Sequence, residues 1–279
     1  MSSEPKSKRL SVRELPITSE AGRRRHKALL RYPRQLVHSH QTLFFELEGA
    51  HLPPAPDRQD YLVLALIFFA MRHATDLHVE GRVSRELLIN LEEFQRAWCA
   101  WRPDVYRPIR ISCDEELEPA APSPWRRGVV AMSGGVDGTF SMLQHLPGTT
   151  ARDRCELVTA MLVHGLEIPL EAERAFELAT ENAAAITAQA NLPLALVRTD
   201  WRQNFSLAWE DDFCTGLAAC LNLFSGTTSC GLLGSDEDYA HLAFPWGSNA
   251  ITNPMMSSDR FRIITVGGAA GRSAKAVSY

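Results

Sequence analysis

The chain has 279 residues, of which 45% are hydrophobic and 22% charged, with a net charge of −4. These proportions fit a globular protein of one large domain or two modest ones. They exclude a global basic field of the kind that gathers nucleic acid.

Positive charge is concentrated at the start. Residues 1–35 carry ten Lys or Arg against Glu4, Glu14 and Glu20. Without interleaved aromatics, this stretch reads as a basic, partly disordered arm rather than an RNA-binding one. The N-terminus is polar, so no signal peptide is expected. The longest apolar run, Tyr61 to Met71, is too short to cross a bilayer and reads as a buried core helix. The six cysteines include no CxxC pair, which argues against a zinc ribbon or a cysteine-ligated iron–sulfur site. The expectation is a cytoplasmic protein, without membrane partners, whose thiols stay reduced.

Residues 36–113 read as a small α+β region. Leu43–Glu48 predicts a strand, Asp60 to about Thr75 a helix, and Leu77–Val79 a short strand. Ser84 is placed to cap a further helix, along which Leu87, Leu91, Phe94, Trp98 and Trp101 recur at helical spacing. Arg102-Pro103 ends it. Ile109–Ser112 predicts another strand. The acidic, proline-rich run at 114–125 is the expected linker.

From residue 126 to 279 the rhythm changes. Strands are predicted at Gly128–Met132, Leu157–Val163, Leu194–Arg198, Cys230–Leu233 and Phe261–Val266. Helices are expected between them, at about Asp137–Leu146, Leu170–Ala190 and Leu207–Phe224. Alternating strands and helices imply an α/β fold: a five-stranded parallel sheet with helices on both faces. Ligands on such sheets bind beyond the carboxyl ends of the strands.

Ser133-Gly134-Gly135-Val136-Asp137-Gly138-Thr139 falls at that edge, between a strand and a helix. Two glycines allow a sharp turn and close backbone approach to a ligand. The helix that follows directs its free N–H groups and positive dipole end there, which suits a polyphosphate. The loop has neither the spacing and lysine of a Walker A motif nor the GxGxxG of a dinucleotide site.

Val129-Val-Ala-Met-Ser-Gly-Gly-Val-Asp-Gly-Thr139 resembles the SGGxDS signature of the N-type ATP pyrophosphatases, or PP-loop enzymes, over roughly residues 125–279. The resemblance implies ATP and Mg²⁺ as cofactors and cleavage between the α- and β-phosphates. AMP then passes to a carbonyl or carboxylate oxygen, and a nucleophile displaces it. By the same resemblance Met132, Ser133, Gly134, Gly135, Gly138 and Thr139 would hold ATP. Asp137 would act near the metal or fix the loop, and Val163 and His164 would lie against adenine. The family's last serine is Gly138 here.

Other candidates come from position. Asp236 and Asp238 follow the fourth predicted strand, where acidic residues suit substrate or Mg²⁺, and Trp246 belongs to an aromatic, rigid loop suited to a substrate wall. Arg272 and Lys275 follow the last strand and would offset phosphate charge. Cys113 is the candidate carrier of a persulfide sulfur, placed by the predicted strand at the mouth of the sheet. The combined expectation is adenylation of a small molecule's carbonyl, such as that of an oxo-purine like guanine, followed by sulfur transfer. A sulfur-donor protein and a second copy of the chain are the candidate partners. Amide ligation with ammonia or an amine, tRNA thiolation, and nucleotide binding without turnover remain the alternatives.

Overall fold

The structure is a computed structural model that describes residues 9–36, 41–119, 126–149 and 152–277. Among these, eleven strands form one mixed sheet with seven helices. The chain is α/β, but the sheet is not the expected five-stranded one.

Three strands arise from the basic segment expected to be a disordered arm: β1 (Leu10–Glu14), β2 (Thr18–Glu20) and β3 (Arg23–Arg31). The correction has a simple cause. In β3 all the charges but Arg24 and His26 fall on one pleat face. Arg23, Arg25, Lys27 and Arg31 face solvent, while Arg24, His26, Ala28 and Leu30 are buried. Arg23 and Arg25 meet Glu48 and Glu46 across the next strand, β4 (Thr42–Glu48). Inward, Arg24 Nε donates to His26 Nε2 at 3.1 Å and its guanidinium reaches the Pro53 carbonyl.

Glu14 closes this inner network. It accepts hydrogen bonds from His26 Nδ1 at 2.8 Å, Tyr61 Oη at 2.7 Å and Gln59 Nε2 at 3.1 Å. Burial alone would raise its carboxyl, but the donors, His26 foremost, overcome that and hold it below the usual carboxylate range. A depressed carboxylate stabilises the fold above its unfolded value and loses that contribution as pH falls through the folded one. The urea midpoint should therefore drop as pH falls below about 4.5. Glu14→Gln should flatten that limb.

Helix α1 (Asp60–Arg72) is buried from Asp60 to Met71, as its apolar run predicts. It leads into β5 (Leu77–Ser84), longer than expected, then α2 (Arg85–Trp101) and β6 (Ile111–Leu117). Ser84 does start α2, but its hydroxyl caps nothing; it donates instead to Asp60 Oδ2 at 2.5 Å. Strand β6 carries the sheet through Asp114–Leu117, so the first part of the expected linker is edge strand; residues 120–125 lie outside the described residues.

The remaining strands are β7 (Arg127–Ala131), β8 (Glu156–His164), β9 (Leu194–Thr199), β10 (Cys230–Gly234) and β11 (Arg262–Val266). They pair in parallel in the order β11-β10-β7-β8-β9. The sheet then continues through β4, β3, β1, β5 and β6, because β4 pairs antiparallel with β9. Helices α3 (Val136–Leu143) and α4 (Glu173–Gln189) share one core with β7, β8 and β10. On the other face α5 (Trp201–Phe205) and α6 (Trp209–Asn222) pack with α1 in a larger core. Trp201 Nε1 donates to the Ala65 carbonyl at 2.5 Å, fixing α5 to α1. A short helix, α7 (Arg272–Val277), closes the described chain.

No helix among the described residues is long and apolar enough to cross a membrane.

Candidate nucleotide-binding site

The chain runs from β7 outward to β8 and β9, then returns to the other side of β7 to lay down β10 and β11. The carboxyl ends of β7 and β10 thus diverge at a topological switch point, where connecting loops leave a crevice. A cavity of about 700 Å³ opens there, a size suited to a small-molecule site.

Its floor is the loop after β7. Gly134 turns with φ +80°, a region that L side chains rarely adopt. No side chain caps α3 at Gly135, so the positive end of its dipole opens on the cavity. Met132, Ser133, Gly134, Gly135, Asp137 and Gly138 all line it. A Cβ at Gly138 would sit 3.0 Å from the Ala131 carbonyl oxygen. The missing side chain therefore points back at the end of β7, and glycine lets the helix settle on that strand.

Asp137 is held from two sides. Lys275 Nζ donates to Oδ1 at 2.8 Å and also to the Ser235 carbonyl, and Arg272 lies 3.4 Å from Oδ2. Lys275 is only 1% exposed. Of the two roles expected for Asp137, the structure shows the second: it fixes the loop to α7, with both oxygens engaged by cations. Lys275 is a buried brace behind the loop; only Arg272 reaches the cavity.

Three further candidates are turned elsewhere. The Thr139 hydroxyl donates to the Gly135 carbonyl at 2.8 Å, within its own helix. His164 is fully buried, stacks on Phe176 with ring centroids 4.1 Å apart, and donates Nε2–H to the Pro169 carbonyl. Burial lowers its pKa, and it is not among the residues that line the cavity. Asp238 accepts from His241 Nδ1 and the Ala240 amide in an outer turn, away from the cavity wall.

Val163, Asp236 and Trp246 do reach the cavity. Leu166 and Ile168 extend the apolar patch beside Val163. Opposite, Trp209, Phe213 and Leu217 recur every four residues along α6 and present one stripe to the cavity. That spacing was visible in the sequence, but its target was not. Phe213 meets Trp246 edge to face at 5.7 Å, and Trp246 Nε1 donates to Asp236 Oδ2 at 3.3 Å. The N-terminal region buttresses this wall: Trp101 packs on Phe244, and Tyr106 and Arg102 both bind Asp211 at the start of α6.

Neither Cys113 nor Cys214 is placed as the expected sulfur carrier. Cys113 lies mid-strand on β6, seven strand spacings from β7. It is not among the residues that line the cavity. Burial, with Glu116 next, raises its thiol further. The expectation that it reaches the mouth of the parallel strands is overturned. Its predicted strand end was misplaced, because the acidic run after it pairs along β5. Cys214 lines the cavity, but burial pushes its thiol up to about 12 and it donates to Asn253 Oδ1 at 3.4 Å.

Comparison with protein-family models, with curated proteins and with solved structures gives no match.

Proposed function

We propose that the protein binds MgATP in this cavity and adenylates the carbonyl oxygen of a small molecule, releasing pyrophosphate. The observation that carries the reading is the uncapped start of α3, behind a positive-φ glycine, at the switch point of the parallel strands. The amides and dipole there suit the β- and γ-phosphates, and Arg272 adds positive charge beside them. Val163, Leu166 and Ile168 offer an apolar face for adenine. Mg²⁺ would enter with the nucleotide and offset the negative charge of its phosphates. The acceptor, for which an oxo-purine such as guanine is a candidate, would lie against the aromatic wall of Trp209, Phe213 and Trp246. AMP is the leaving group of the second step. If sulfur displaces it, the sulfur must come from outside the cavity's own cysteines, from sulfide or a partner's persulfide. Amide ligation is favoured over thiolation by the carboxylates Asp236 and Glu167 on the cavity wall.

Incubation with ATP, Mg²⁺ and a panel of carbonyl compounds should yield pyrophosphate and AMP in equal amounts. ADP and orthophosphate as products would overturn the reading. Cys113→Ser should leave ATP affinity and AMP formation within about twofold of the parent, since a substitution this remote is uncoupled from the site.

A further inference from the structure

We infer that Cys155 and Cys230 form a reversible disulfide across β7 when the protein meets a peroxide, stapling β8 to β10. The pair lies at the amino ends of these strands, the opposite edge of the sheet from the cavity, and nothing in it depends on adenylation.

All six cysteines are free thiols. Cys155 stands just before β8 and Cys230 opens β10, and those strands flank β7 on opposite sides. Cysteines two strands apart are ordinarily out of each other's reach. Here Gly128 of β7 lies between them. A Cβ at that position would sit 3.2 Å from Cys230 Sγ and 3.3 Å from Cys155 Cβ. With only hydrogen there, the two side chains close over the strand and their sulfurs come to 3.1 Å. The backbone of Gly128 is outside the left-handed region, so the turn of the chain does not call for glycine. The meeting of the two sulfurs does.

The thiols are unlike. Cys230 donates its S–H to Cys155, and that bond, aided by His145 and Arg126 against the cost of burial, holds the Cys155 thiol below its ordinary value. The same contact, with burial, pushes Cys230 up. Cys155 is therefore the nucleophile and Cys230 the resolving thiol. The Cys155 amide donates to His145 Nδ1 at 2.9 Å, which holds the residue in place. Both cysteines are buried, but the chain beside them, Arg126, Arg127 and Arg152-Asp153-Arg154, is exposed. A molecule the size of hydrogen peroxide needs only a local opening of this sheet edge to reach them.

The Cys155 thiolate attacks one peroxide oxygen. The O–O bond breaks, and hydroxide leaves with its electron pair, giving a sulfenic acid. The Cys230 sulfur attacks the Cys155 sulfur. The S–O bond breaks, and the departing hydroxide takes the Cys230 proton. Two thiols lose two hydrogens, and one peroxide becomes two waters.

The test treats the full reduced chain with hydrogen peroxide, then maps alkylated peptides by mass spectrometry. A linked pair of peptides, lighter by two hydrogens and separated again by dithiothreitol, should join Cys155 to Cys230. It should form at least about tenfold faster in the folded chain than in urea, because folding holds the sulfurs together. Gly128→Ala keeps both thiols but parts them, and should slow the link at least about tenfold. In Cys230→Ser, dimedone should trap Cys155 as its sulfenic acid. Cys113→Ser, on β6, should change nothing. The urea midpoint of the parent should rise on oxidation and return with dithiothreitol. Full alkylation of both thiols after peroxide would overturn the inference, as would a link that forms equally fast in urea or a midpoint that falls.

Discussion

Asp137→Ala should destabilise the protein by about 3–5 kcal/mol and abolish measurable nucleotide binding. The stability loss follows from Lys275. Its ammonium is 1% exposed and is matched by the Asp137 carboxylate at 2.8 Å and the Ser235 carbonyl. Removing the carboxylate leaves a buried cation without compensation, which costs far more than the pair contributes. Urea denaturation monitored by tryptophan fluorescence checks this directly. In the double variant Asp137→Ala/Lys275→Met most of the lost stability should return, because no charge is then stranded. Nucleotide binding should not return with it, because the loop has lost its brace to α7. If the double variant is as unstable as the single one, the cost lies in packing and not in the stranded charge.

Gly234→Ala should be the most damaging single methyl group in the site. The added Cβ would meet the Asp137 carbonyl carbon, Cβ and oxygen at 2.7 Å each. Two of these atoms are helix backbone, so relief requires α3 to lift from β10. Overpacking of this kind costs about 1–3 kcal/mol. The displacement falls on the helix start that borders the cavity, and on the proposed reading ATP affinity should drop at least about a hundredfold. Equilibrium binding of a fluorescent ATP analogue measures it. Retained affinity would mean that the loop moves independently of β10.

The parallel part of the sheet was legible because its signals are local. Apolar runs such as Gly128–Met132 and Cys230–Leu233, punctuated by glycine and polar turns, locate strands and their carboxyl edges without reference to the rest of the chain. The glycine loop was legible for the same reason. What escaped depends on partners far away in sequence. Lys275 looks like a surface cation until Asp137, 138 residues earlier, is placed beside it. His164 stands at a ligand edge by count, yet its ring turns toward Phe176 on α4. The arginines of β3 read as a solvated arm because charge density conceals a two-residue alternation whose inner face includes Arg24 and His26. The pairing of β4 with β9 joins segments about 150 residues apart and leaves no local mark.

That pairing has a consequence for dissection of the molecule. The parallel strands that carry the cavity are not a detachable unit. A fragment beginning near residue 126 would expose β9 from Leu196 to Thr199 as a bare, unprotected edge, ready to template association with another chain. It would also uncover the face of α6 that α1 shields. Such a fragment should form soluble aggregates on size-exclusion chromatography even with every loop residue intact, and recover as a monomer only when residues 9–119 are supplied in trans.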